Sequence, residues 1–130
     1  MGAGRLEARP ATGRRAEALA AALLEARGLR IVARNWRRPE GELDLVADDA
    51  GTCVFVEVRS RTGEDSGHPL EAVSARKRAR VIRAARLYLE AEGAPDAAGY
   101  RFDVVGVTFP ADGGQPVLVH VANAFDVSSG

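Results

Sequence analysis

Between Gly41 and Arg61 the chain reads GELDLVADDAGTCVFVEVRSR, two apolar, β-branched runs separated by a short polar turn. This pattern leaves little choice of local structure. Glu42 to Ala47 and Thr52 to Ser60 read as strands, Asp48 to Gly51 reads as the turn between them, and a hairpin follows. Asp44 and Glu57 lie inside these runs, where charged side chains are seldom found without a partner. A bound cation is one explanation of their presence.

Alternation along the second strand puts Glu57 and Arg59 on one face with Phe55, and Val54, Val56 and Val58 on the other. With Ala50 and Gly51 as a two-residue loop, Asp44 falls directly across from Glu57 and on its face. A three-residue loop without a bulge would instead put the two carboxylates on opposite faces. Two adjacent carboxylates repel, so either one is protonated or a cation sits between them. Hard oxygen donors in small number suit Mg²⁺ or Mn²⁺, ions that retain waters, bind substrate phosphates and serve phosphodiester hydrolysis. The other reading of the same residues is a surface ion-pair ladder in which Arg59 neutralises both acids.

The rest of the chain frames this hairpin. From Thr12, an expected N-cap, to Gly28, an expected C-terminal cap, Ala16, Leu19, Ala20, Leu23 and Leu24 form one helical stripe. Leu29 to Trp36 is β-like, and a polar, Gly-rich loop after Ser60 leads to a second helix from near Ser74 to about Glu92. Tyr100 to Phe109 and Pro116 to Ala122 read as two further strands. The order is αβββαββ, an α/β chain with a central mixed sheet flanked by helices. Residues 1–12 read as a flexible basic arm, 13–125 as a single domain and 126–130 as a tail.

Eighteen basic residues balance eighteen acidic ones, so overall charge does not point to nucleic acid. The distribution is more telling. Residues 74–86 hold six basic groups and no acid, and Arg76, Arg80, Arg83 and Arg86 cluster opposite Val81, Ala85 and Leu89. Such a helix has one core face and one face suited to phosphates, although an Arg-rich composition also yields solvated basic faces. Arg14, Arg15, Arg37 and Arg38 extend the basic character to other segments. Cys53, the only cysteine, excludes an intrachain disulfide and a thiolate zinc site. No run has the length and apolarity of a membrane helix and no signal core opens the chain, so a cytoplasmic protein without membrane partners is expected.

At these residues the sequence resembles the PD-(D/E)xK nuclease superfamily and, more closely, the YraN-like family of predicted bacterial endonucleases, which are akin to Holliday-junction resolvases. The resemblance runs from GRRAEALAAALLEARGLRIVARNWR through GELDLVADDAGTCVFVEVRSR and HPLEAVSARKRARVIRAARLYL to RFDVVGV. It implies a restriction-endonuclease-like fold with Asp44 and Glu57 as metal ligands, the Val58 carbonyl as a third, and Glu17 as an additional acid from the first helix. It puts Arg59 where the superfamily usually has Lys. Arg59 cannot act as a general base, but it can pin a nucleophile or offset transition-state charge.

Lys77 lies on another helix and is counted with Arg76, Arg80, Arg83 and Arg86 as a nucleic-acid contact. Asp103 resembles a family position and reads as supporting structure. His120 also reads as structural, while His68 lies in the loop where it can meet substrate. The resemblance to resolvases extends to a homodimer, whose interface the sequence does not identify. The function expected is metal-dependent cleavage of structured or branched DNA. The alternative is a non-catalytic DNA-binding module on the same fold, and a protein-interaction domain is a third option.

Overall fold

The computed structural model describes residues 11–63, 73–93 and 99–126. Helix α1 (Ala11–Ala26) is followed by strands β1 (Arg30–Arg38), β2 (Gly41–Asp49) and β3 (Thr52–Thr62), helix α2 (Ala75–Tyr88), and strands β4 (Gly99–Phe109) and β5 (Val117–Phe125). The order is the expected αβββαββ. The expected arm lies outside the described residues except for Ala11 and Thr12, which open α1 one residue before the expected cap. The tail lies outside them beyond Asp126, and so does His68.

The five strands form one sheet in the order β1-β2-β3-β4-β5, antiparallel except for the parallel pair β3–β4. The parallel pair needs a crossover, and α2 lies in it. Side chains alternate between two apolar layers. On one face Val54, Val56, Leu45 and Val105 pack with Ala16, Ala20 and Leu24 of α1; on the other Phe55, Val46, Phe102 and Val104 pack with Val81, Ala85 and Tyr88 of α2. A mixed sheet covered on both faces by helices is consistent with a restriction-endonuclease-like core.

Local signals set the element ends. Gly28 has φ +94°, its N–H donates to Glu25 O, and the Leu29 N–H donates to Leu24 O, which is the Schellman pattern closed by the Leu24–Leu29 apolar contact. Ser74 caps α2 by accepting from the Lys77 N–H. The second helix was expected to continue to about Glu92, but α-helical geometry ends at Tyr88 and a π-turn covers Leu89–Gly93. Within that turn Glu92 accepts from Trp36 Nε1 at 3.1 Å. Strand β5 runs three residues beyond the expected Ala122 and contains a bulge: Asn123 has φ 54°, and its N–H turns to Asp103 Oδ1 at 2.9 Å. Among the described residues no helix is long and apolar enough to cross a membrane.

Candidate active site

The hairpin loop decides whether the two carboxylates meet. Ala50 and Gly51 both have positive φ (52° and 98°), as in a two-residue type I′ turn, and the strands pair as Asp49↔Thr52 through Leu45↔Val56. The ladder ends there, and Asp44 and Glu57 are the residues next beyond its last pair. The two-residue loop is therefore the one that keeps the acids together.

The strand is distorted where Asp44 sits. Pairing between β1 and β2 passes from Arg34↔Leu45 to Trp36↔Leu43, and Asn35, opposite Asp44, is in the left-handed region with φ 52°. Leu43 and Val46 consequently share the α2-side core although they are three residues apart. Simple alternation would have separated them. At the same point the Val58 N–H donates to Asp44 Oδ2 at 2.8 Å, which fixes the carboxylate against the strand that carries Glu57.

Both acids are buried, Asp44 to 8% exposure and Glu57 to 3%. Two cations reach Glu57 Oε2: Arg59 Nη1 at 3.4 Å from the same strand and Lys77 Nζ at 3.5 Å from the first turn of α2. Burial and the neighbouring Asp44 nonetheless push the Glu57 carboxyl up to about 7, with Lys77 and Arg59 only partly offsetting them.

Lys77, counted with the arginines of α2 as a nucleic-acid contact, has its ammonium at the acids. Its approach depends on how closely α2 packs on β2. A Cβ on Gly41 would lie 3.0 Å from Arg80 O and 3.2 Å from Ala84 Cβ, so a larger residue fits only if strand or helix gives by a few tenths of an ångström. Glycine before the ELD stretch was the available signal for such an approach, but it does not identify the partner helix.

Glu17 is 6% exposed, on the side of α1 that packs on the sheet beside Ala16, Ala20 and Ala21. Among the described residues no three side chains of His, Cys, Asp or Glu gather into a metal-binding group. Asp44 and Glu57 are thus brought together without a third such donor from Glu17. The donor set fits an ion such as Mg²⁺ or Mn²⁺, which is held by one or two carboxylates and completes its shell with water and phosphate.

Arg76, Arg80, Arg83 and Arg86 are exposed along α2, which begins at the site. Arg15 and Arg38 instead lie over the rings of Phe109 and Trp36, and Arg37 pairs with Glu42 at 3.6 Å. Trp36 packs edge-on against Tyr88 and bonds Glu92, so its ring serves intramolecular contacts. Asp103 is fully buried and accepts from Arg101, His120 and the Asn123 N–H. Arg27, which can only donate, bonds His120 Nδ1 at 2.8 Å, so the ring hydrogen is on Nε2 and points to Asp103. Arg101 also bridges to Asp49 at 2.8 Å. This network holds β5 and the end of α1 to the sheet, in keeping with structural roles for Asp103 and His120.

Residues 16–107 match the model of a family described as "Uncharacterised protein family UPF0102". A UPF0102 protein of Clavibacter michiganensis subsp. michiganensis is 50% identical over 113 residues, covering 86% of this chain and 93% of that protein. One from Nitratidesulfovibrio vulgaris is 46% identical over 123 residues, covering 95% and 90% respectively. One from Streptomyces griseus subsp. griseus is 43% identical over 115 residues, covering 88% and 96%.

Proposed function

The chain belongs to the uncharacterised protein family UPF0102, and from its buried acid pair we propose that it is a metal-dependent endonuclease of the PD-(D/E)xK type, hydrolysing phosphodiester bonds in structured or branched DNA. The observation that carries this reading is the pair of buried carboxylates, Asp44 and Glu57, on adjacent central strands, with Asp44 held by the Val58 N–H at 2.8 Å. Such a site gains from a divalent ion.

Asp44 and Glu57 would hold Mg²⁺ or Mn²⁺, with the Val58 carbonyl as a further donor implied by the resemblance; Glu17, the other donor it implies, does not gather with these acids into a metal-binding group among the described residues. The bound ion supplies Lewis-acid stabilisation of the phosphoryl charge. Val58 holds Asp44 in place through its N–H. Arg59 orients phosphate through its guanidinium, which is 36% exposed at its side chain and stands beside Glu57. The exposed arginines of α2 bind backbone phosphates on either side of the cleavage point, largely without regard to sequence.

A second reading, a DNA-binding module without turnover, draws support from the ion pairs of Arg59 and Lys77 with Glu57. Calorimetry with Mn²⁺ on the wild type, Asp44→Ala and Glu57→Ala, followed by cleavage assays on branched DNA, separates the two. The nuclease binds Mn²⁺ only with both acids present and cuts only with the ion. DNA binding that is unchanged in chelator, with no Mn²⁺ binding and no cleavage, is the result of the module.

A further inference from the structure

Lys77 is the single lysine of the chain, and it approaches the same Glu57 oxygen as Arg59. The Ser74 cap fixes the helical turn that carries it, and Gly41 sets the depth at which that turn meets β2. The two cations are not equivalent. Both side chains are partly exposed, Arg59 at 36% and Lys77 at 29%, but Arg59 stands on the same strand as Glu57, whereas Lys77 brings a point charge on a flexible four-carbon stem from α2.

We propose that Lys77 is the internal counter-ion of the acid pair: it balances Asp44 and Glu57 while no divalent cation is bound, gives way when one binds, and then presents its ammonium to a substrate phosphate. The inference rests on the metal-dependent reading above. Charge repulsion drives the exchange. The Lys77 ammonium lies 3.5 Å from Glu57 Oε2, so a divalent ion at the acids meets a like charge at short range, and the ammonium gains by turning to an anion outside. Without DNA, Lys77 and the metal therefore compete.

The test is Mn²⁺ calorimetry without DNA, at low salt and fixed pH, on the full-length wild type, Lys77→Met and Lys77→Arg, with thermal melts to verify each fold. The expected result is binding about three- to tenfold tighter in Lys77→Met and within about twofold of wild type in Lys77→Arg. Equal or weaker binding in Lys77→Met overturns the counter-ion role while leaving the metal-dependent reading standing. Absence of Mn²⁺ binding in all three overturns both. Cleavage of branched DNA tests the second half: Lys77→Met is expected to lose at least about tenfold in kcat despite its tighter Mn²⁺ binding, and unimpaired cleavage overturns the phosphate contact.

Discussion

The backbone N–H of Val58 donates to the Asp44 carboxylate at 2.8 Å, so the strand that carries Glu57 also holds its partner acid in place. Because this bond comes from the main chain, it survives any side-chain change at position 58 other than to proline. The separation of the two acids is set by the hairpin itself.

The first consequence concerns pH. The Glu57 carboxyl is raised from 4.5 to about 7, so the folded chain favours its neutral form and ionising it costs stability. Without metal, stability is highest below about pH 4.5 with respect to this group and declines as pH rises through 7, by an order of 2–3 kcal/mol. Glu57→Gln should flatten that decline in melts taken from pH 5 to 8, and Mn²⁺ should raise the wild-type Tm most at the upper end. A wild-type profile as flat as the variant's would contradict the raised value.

Helix depth gives the second. Gly41→Ala drives a methyl against Arg80 O and Ala84 Cβ, and the loss expected in urea melts is about 1–3 kcal/mol. By lifting α2 the substitution also moves Lys77 away from Glu57, so Mn²⁺ affinity should change along with stability. A change in neither would mean that strand and helix adjust freely.

Ala50 adopts φ 52° in the hairpin turn, a conformation that asparagine tolerates better than alanine. Ala50→Asn should therefore stabilise the protein by about 0.5–1 kcal/mol in denaturant melts without altering Mn²⁺ binding. Destabilisation would argue against the type I′ turn on which the alignment of the acids depends.

Asp103 accepts from Arg101, His120 and the Asn123 amide at no exposure to solvent. Asp103→Ala leaves these donors unmatched, and a loss of about 3–5 kcal/mol is expected in chemical denaturation. At temperatures where the variant is folded, its Mn²⁺ affinity should equal that of the wild type. Loss of metal binding in a folded variant would bring Asp103 into the site.

For the nucleic-acid face, Arg80→Gln with Arg83→Gln should weaken DNA binding about equally across sequences and lower the slope of log affinity against log salt by about 2. Titrations at several salt concentrations measure this. An unchanged slope would remove those two arginines from the interface.

Much of this architecture was legible before any coordinates. The hairpin was readable because β-strand parity and a two-residue loop fix which side chains meet, and the inward side of α1, including Glu17, follows from helical angle. The position of Lys77 was not readable: it depends on the approach of α2 to Gly41, a contact between segments far apart in sequence. The Asp103 network joins α1, β2, β4 and a bulge in β5, and no local pattern announces a carboxylate shared among them. The π-turn after Tyr88 likewise has no sequence signature that we can identify, although Glu92 uses it to reach Trp36.

The charges of the site differ in what holds them. Asp44 and Glu57 are carried by adjacent central strands, and Asp44 is bonded to main chain, so moving either acid means moving the sheet. The cations reach the same carboxylate oxygen on long side chains, one from β3 and one from α2. Substitution can therefore exchange or relocate a positive charge at small structural cost, while the negative charges have no second address.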